Sequence, residues 1–276
     1  MPEGDTIYRA ARTLDRAIGR KVITRFETML PKLGRVDEDT PITGRTVEKV
    51  EAHGKWMLMH LSGGLILLTH MLMSGSWHIY RPREAWKASR RDMRIVIETA
   101  DMIAVAFRVP VAEFHTEESL RRRQGLNRLG PDILAERFDA GKAMESLRSR
   151  PELELAEAVL NQSVLAGPGN VFKSEICFAC RLSPFRMVAS LNEEEIRRVV
   201  ETAQKYMAAN IMETSGDKIV TYTGFRRTTG RSDPYARLWV YGRAGEACRQ
   251  CGTAIEVKRQ GVNARKTYYC PHCQKA

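Results

Sequence analysis

The sequence predicts an α+β multidomain chain: an N-terminal helix plus an antiparallel β-sandwich or barrel, then a helical domain, then a β-hairpin that carries paired cysteines. Three observations predict it. Short apolar runs separated by Gly, Pro or Asp turns fill Lys21 to Phe114. Near residue 115 the pattern changes to apolar residues at helical spacing. The last thirty residues hold two Cys-x2-Cys pairs. Strands this closely spaced, with no helical stretch between them, pair with their neighbours.

In order, Ile7, Ala10, Ala11, Leu14, Ala17 and Ile18 recur on one helical face, and Gly19 follows as a stop. The strand candidates are KVITRFE, KWMLMHL, LILLTHMLM, MRIVIET and MIAVAFR, with Ser62–Gly63–Gly64 as a hairpin turn. Helices are expected over 116–124, 135–149, 152–162, 170–180 and 191–214. Ser190 and Glu193 are read as the capping box of the last, and Gly216 as its end. Residues 215–236, rich in Gly, Thr, Ser and Arg, read as a long loop, and LWVYGR as a short β segment leading into the tail. The expected domains are 1–115, 116–236 and 237–276.

Lys plus Arg number 44 against 33 Asp plus Glu, a formal charge of +11, which favours a polyanionic partner and most simply nucleic acid. Hydrophobic residues at 43% are enough for real cores and argue against disorder. No run of 18 apolar residues occurs and MPEGDTIYRA has no apolar signal region, so a cytoplasmic protein is expected.

Cys248-x2-Cys251, eighteen residues, then Cys270-x2-Cys273 is the spacing of a four-thiolate zinc ribbon, two knuckles on a hairpin. One structural Zn2+ is expected, because so short a tail has no core of its own without metal. His272 sits in the second knuckle and is expected to be exposed. Cys177 and Cys180 share the spacing but lie in an apolar helical run, where packing is the simpler role. Lys258, Arg259, Arg265 and Lys266 on the hairpin suit either a solvated face or phosphate contact.

Pro2 follows the initiator Met, which is commonly removed before a small residue. Removal leaves a secondary amine, with a pKa near 8 for an α-amine, nucleophilic at neutral pH as lysine is not. Its attack on a sugar C1′ gives a cationic iminium, an electron sink for elimination of phosphate. Glu3 follows at a helix start. Many proteins begin Met–Pro–Glu, so the pair alone carries little.

Five ordered segments together resemble the formamidopyrimidine-DNA glycosylase/endonuclease VIII family. PEGDT resembles its amino-terminal Pro–Glu motif, and HGK at His53–Lys55 the segment presenting its lysine. HMLMSGSW at His70–Trp77 resembles the segment with its void-filling loop, and NQSVLAGPGNVFKSE at Asn161–Glu175 its helix–two-turns–helix motif. WVYGRAGEACRQCGT with ARKTYYCPHCQ resembles its zinc ribbon. The resemblance implies a bifunctional DNA glycosylase/AP lyase of base-excision repair acting on damaged double-stranded DNA, and a monomer is expected. Pro2 would displace the base at C1′, Glu3 would move protons near the sugar, and Lys55, otherwise a surface strand lysine, would contact the scissile phosphates. β- then δ-elimination would leave a one-nucleotide gap with phosphates at both ends. Asn170, after the turn Gly167–Pro168–Gly169, would hold the DNA backbone beside the lesion, Arg265 would clamp flanking phosphates, and Met73 would fill the void left by the flipped nucleotide.

The chain also departs from the family pattern. Asp5 and Thr6 stand where a second Pro–Glu is frequent. FRVPVAEF holds Arg108 but not the Arg–Phe wedge of the guanine-directed branch, and the zinc loop is about two residues longer than usual. With the PEG start and the Ser76–Trp77 pair, this leans toward the endonuclease VIII branch, which prefers oxidised pyrimidines. Tyr222, Arg226, Arg227 and Arg231 in the 215–236 loop are candidates to touch the flipped base or the DNA. The competing readings are the same fold acting on oxidised purines, a non-catalytic damaged-DNA-binding protein, and an RNA-binding zinc-ribbon protein.

Overall fold

The computed structural model describes residues 2–211 and 238–275. The chain divides into two compact units, one within residues 2–127 and one formed by 128–211 with 238–275.

In the first unit, α1 (Gly4–Ile18) buries Ile7, Ala10, Ala11, Leu14 and Ile18, the face its spacing predicts. Its C-terminal turn is tied to the sheet by Asp15, whose carboxylate accepts the Val50 N–H at 2.8 Å. A Cβ on Gly19 would lie 2.2 Å from the Asp15 carbonyl oxygen, so only glycine allows the chain to leave the helix this closely.

Eight strands form two antiparallel four-stranded sheets. One has the order β1 (Arg25–Thr28), β6 (Met93–Glu98), β7 (Ile103–Phe107), β5 (Ser76–Tyr80). The other runs β2 (Val47–His53), β3 (Trp56–Leu61), β4 (Leu65–His70), β8 (Val111–Thr116). Met57, Met59, Leu61 and Leu67 of the second sheet share one core with Ile95, Ile97, Ala104 and Ala106 of the first and with the apolar face of α1. The arrangement is therefore a sandwich. The Ser62–Gly63–Gly64 turn closes the β3–β4 hairpin, with both glycines at positive φ.

The outer sheet faces are covered too. Trp86 and Ala88 pack on Tyr80, Met93, Val96, Val105 and Phe107. Leu120 of α3 (Glu117–Arg122) and Leu126 pack on Leu58, Ile66 and Leu68. Burial on both faces explains why WMLMHL and LILLTH read as near-continuous apolar runs rather than alternating ones.

One element runs against the sequence reading. Residues 31–39, inside the stretch read as strand, form helix α2 (Pro31–Asp39). Only Leu33 of it is buried, so there is almost no apolar period to read. Pro31 at the first turn and the Asp37 carboxylate accepting the Ile42 N–H set its ends instead.

The second unit holds α4 (Ala140–Arg148), α5 (Leu155–Leu160), α6 (Asn170–Ala179) and α7 (Glu193–Ile211). α4, α5 and α6 are shorter than the spans their apolar patterns predict. The Asp139 carboxylate accepts the Lys142 N–H and starts α4. The expected Ser190–Glu193 capping box is not formed. The box is Asn192 with Glu195, each side chain accepting the other's backbone N–H at 2.9 Å. Ser190 instead donates its hydroxyl to the Met187 carbonyl within a short 3-10 turn. Gly216 and the 215–236 loop, with Tyr222, Arg226, Arg227 and Arg231, lie outside the described residues.

The LWVYGR segment, read as β, is bend and turn at residues 239–242. Its N–H groups serve a carboxylate rather than a strand: Glu175, fully buried on α6, accepts from Trp239, Val240 and Tyr241 at 2.8, 3.0 and 2.9 Å. The hairpin that follows pairs β9 (Glu256–Gln260) with β10 (Arg265–Tyr269). It is fastened to the helices by Tyr268 N–H to Ser174 Oγ, and by the Gln260 amide to Glu154 and to the Pro184 carbonyl.

Candidate active site, DNA-contact elements and metal centre

In the first unit, Glu3 is the N-cap residue of α1, with extended backbone and a fully buried side chain. Its carbonyl accepts the N–H groups of Thr6 and Ile7. Pro2 precedes it, half-buried. The acid thus stands at the N-terminal end of α1 and adjoins the residue that becomes the chain's amine if Met1 is removed.

The second sheet gathers three other candidates at one end. Gly54 and Lys55 make the two-residue turn between β2 and β3, with Gly54 at φ +59. Because Trp56 pairs with His70, Lys55 stands beside the point where β4 ends and the 71–75 turn begins. Met73, in that turn, is 67% exposed, so it is not the buried strand methionine that the sequence also allowed. His70 pairs with Val111, so the 108–110 turn carrying Arg108 emerges at the same end. Arg108 has φ +50 and its guanidinium binds the Asp92 carboxylate at 2.6 Å, an exposed pair in which each partner holds the other in its charged form.

His70, which the sequence reading names only as the first residue of a motif and gives no role, sits among these groups. Its ring meets Trp56 edge-to-face at 4.6 Å, and the Arg123 guanidinium lies 4.6 Å from the Trp56 ring centroid. Burial, followed by the charges of Lys55 and Arg123, pushes the imidazole down to about 4. Leu72, 47% exposed beside Met73, was also missed. The signal available was an unbroken apolar Met–Leu–Met run past a strand end, where a turn is normally polar.

In the second unit, residues 161–169 link α5 to α6 by two turns pinned with side chains. The Asn161 carboxamide oxygen accepts from the Ser163 backbone and hydroxyl. Gln162 donates to the Leu160 and Pro168 carbonyls and accepts the Gly167 N–H. Gly167 has φ +113, which a residue with a side chain adopts only with strain. The loop delivers Asn170 to the first position of α6, where it is buried and its Oδ1 has no hydrogen-bond partner among the described residues. A helix N-terminus with an amide at its mouth is suited to an anion.

Arg265 opens β10, opposite Gln260, and is exposed together with Lys258, Arg259 and Lys266. Lys258 lies over the Phe185 and Tyr269 rings at 5.5 and 5.4 Å. The Sγ atoms of Cys248, Cys251, Cys270 and Cys273 all lie within 4.8 Å of one another. The contacts Cys248–Cys273 and Cys251–Cys270 are 4.0 and 3.5 Å. A zinc tetrahedron with metal–sulfur bonds of about 2.3 Å has edges of about 3.8 Å, so the four thiolates fit the ion. His272 is exposed, as expected. Cys177 and Cys180 are buried, and desolvation pushes both thiols up, as for core residues. Among the described residues, no helix is long and apolar enough to cross a membrane.

Comparison with known proteins matches this division. Residues 1–110 match the formamidopyrimidine-DNA glycosylase N-terminal domain and 129–221 the formamidopyrimidine-DNA glycosylase H2TH domain. Residues 245–276 match a zinc finger found in FPG and IleRS. A probable endonuclease 8 2 of Streptomyces coelicolor is 39% identical, over 99% of this chain and 94% of its own. The DNA-(apurinic or apyrimidinic site) lyase Nei2 of Mycolicibacterium smegmatis is 34% identical over the whole of both chains. The Lactococcus lactis Fpg, solved with DNA containing N7-benzyl-Fapy-dG, superposes with a TM-score of 0.80 at 21% identity over all of both chains, a likeness of fold. The chain belongs to the formamidopyrimidine-DNA glycosylase/endonuclease VIII family, with relatives named for its endonuclease VIII branch.

Proposed function

We propose that the chain is a bifunctional DNA glycosylase/AP lyase of base-excision repair that removes oxidised bases, pyrimidines first, from double-stranded DNA. The observation that carries the reading is the Pro2–Glu3 start: a proline, whose nitrogen becomes a secondary amine once Met1 is removed, next to a fully buried carboxyl group at the N-terminus of α1. The names borne by relatives that match over essentially the whole chain agree with it.

The Pro2 nitrogen attacks C1′ of the damaged nucleotide, and the N-glycosidic bond breaks with its electron pair leaving on the base, which is protonated. Glu3 moves the proton that opens the sugar ring, giving a cationic iminium between Pro2 and C1′. Loss of a C2′ proton expels the 3′ phosphate; a second elimination expels the 5′ phosphate, and hydrolysis of the imine frees Pro2. Lys55 binds the phosphates whose departure these steps require. Asn170 holds the backbone beside the lesion, Arg265 clamps flanking phosphates, Met73 fills the vacated stack, and Arg108 reaches the strand opposite after exchanging Asp92 for DNA. A zinc ion held by Cys248, Cys251, Cys270 and Cys273 fixes the ribbon that presents Arg265. In this reading residues 1–115 are catalytic, 116–236 bind DNA and 237–276 are the ribbon, and the chain acts as a monomer.

End-labelled duplexes carrying 5-hydroxyuracil, 8-oxoguanine or an abasic site test this. Expected are incision at the pyrimidine lesion and the abasic site, with phosphates on both flanks, and loss of base removal with retained binding in Glu3→Gln. Faster removal of 8-oxoguanine would move the chain to purine lesions. Binding without incision would make it a damage-binding protein, and tight RNA binding without DNA incision would overturn the reading.

A further inference from the structure

The turn that carries Met73 is built to a shape its sequence does not favour. Its two ends are fixed. Met71 is buried in the sandwich core, and the Gly75 N–H donates to the Met71 carbonyl at 2.8 Å. A Cβ on Gly75 would lie 2.7 Å from that oxygen and 3.1 Å from the Val109 Cα, so the turn is pressed against the 108–110 turn. Between these ends Leu72 has φ +44, a left-handed backbone that leucine adopts only under constraint. The result is two adjacent large apolar side chains, Leu72 and Met73, held out in water.

The constraint is visible. The Leu72 N–H donates to Nδ1 of His70 at 3.0 Å. This bond requires Nδ1 to carry its lone pair, and the surroundings protect it. Burial disfavours the imidazolium, Lys55 faces the ring from the β2–β3 turn, and Arg123 adds a second positive charge from beyond α3. On β8, Glu113 is occupied by Arg123 at 3.0 and 3.1 Å and by His115 at 3.0 Å, while Trp56 braces the ring edge-to-face.

We propose that His70 is a positioning residue whose Nδ1 latches the Leu72 N–H, so that Leu72 and Met73 are presented together as a two-residue apolar tip to the bases flanking the flipped-out nucleotide. Shape and chemistry support it. An exposed apolar pair is costly in water, whereas between two partly unstacked bases it meets aromatic faces. The inference rests on the glycosylase reading for the identity of what the tip enters, but the latch itself is a property of the free protein.

The first readout therefore uses the whole protein without DNA: exchange of the Leu72 amide followed by NMR at pH 7. In the parent chain it is slower than in His70→Ala by about tenfold, the worth of one such hydrogen bond. His70→Asn, whose Oδ1 stands near the position of Nδ1, restores the protection. Equal exchange in the parent and His70→Ala overturns the latch, and circular dichroism confirms that each variant is folded.

The second readout is the fluorescence of 2-aminopurine beside a stable abasic analogue in a duplex. It rises on binding, and the rise falls several-fold in His70→Ala and in Leu72→Ala. In a Leu72→Gly background, where the backbone adopts φ +44 without constraint, adding His70→Ala changes the signal little. An undiminished second loss overturns the role of His70. A signal insensitive to Leu72 with protection intact overturns the tip and leaves the latch standing. Failure of the incision assay with both readouts as expected overturns the enzyme reading alone.

Discussion

The sandwich unit and the cysteine ribbon solve the same problem with different means. The sandwich buries apolar side chains on both faces of both sheets, and α1 closes the shared core. Each buried apolar side chain there is one of many. The ribbon has two five-residue strands and a small cluster of Phe178, Val240, Cys248, Ile255 and Cys270. It stands on four thiolates and on one carboxylate, Glu175, that collects three backbone N–H groups. The difference teaches where the protein is fragile: distributed burial tolerates single losses, whereas a few polar and metal contacts fail together.

Metal removal breaks this contrast most sharply. Chelation, or Cys270→Ser, is expected to unfold the ribbon, since a structural zinc contributes on the order of 10 kcal/mol. DNA affinity falls with it, while the amide exchange of β3 and β4 stays as in the intact protein. An active protein shown by elemental analysis to be metal-free would contradict the zinc assignment.

Within the sandwich, Leu14→Ala at a fully buried site is expected to cost about 3 kcal/mol, read from urea unfolding, and to leave a folded enzyme. Glu175→Gln keeps the size but loses the charge that serves three donors, and is expected to cost about 2 kcal/mol. Its effect should appear in ribbon exchange and DNA affinity rather than in the sandwich. If Glu175→Gln loosened the sandwich equally, the two regions would not be independent.

A further effect is on pH dependence. His70 is held down to about 4 from an ordinary 6.5, so between those values the unfolded chain binds a proton that the folded one refuses. Its contribution to stability is full above pH 6.5 and is lost as pH falls toward 4. Glu51, bonded first to His60 and also to Lys49, is held at about 2, and its contribution is full above about 4.5 and lost toward pH 2. Thermal melts should show a drop across pH 6.5 to 4 that flattens in His70→Asn. An unchanged slope would remove His70 as its source.

The legible parts were those written in a local period or spacing. The face of α1, the β3–β4 hairpin and the four zinc ligands follow from apolar repeats, a Gly–Gly turn and paired cysteines. The ordered motifs placed Pro2 and Glu3 at one helix start and Asn170 at another, whereas Lys55, read as a strand residue, stands in the turn just before β3. What escaped depends on partners distant in sequence. Helix α2 is held by its ends and not by a buried face. The LWVYGR segment looks like a strand because nothing local reveals that its N–H groups belong to Glu175, 64 residues before Trp239. His70 and Leu72 were read only as strand end and motif, because a left-handed leucine and the ring that holds it are features of a folded turn.

The account's central claim is that the Pro2 nitrogen is the nucleophile. Borohydride trapping on a 5-hydroxyuracil duplex, followed by peptide mass mapping of the adduct, tests it most directly. The account predicts a covalent complex whose DNA remnant lies on the N-terminal peptide at Pro2, formed only by protein lacking Met1. An adduct on Lys55 or another lysine, or no adduct with Pro2 confirmed as the free terminus, would contradict it.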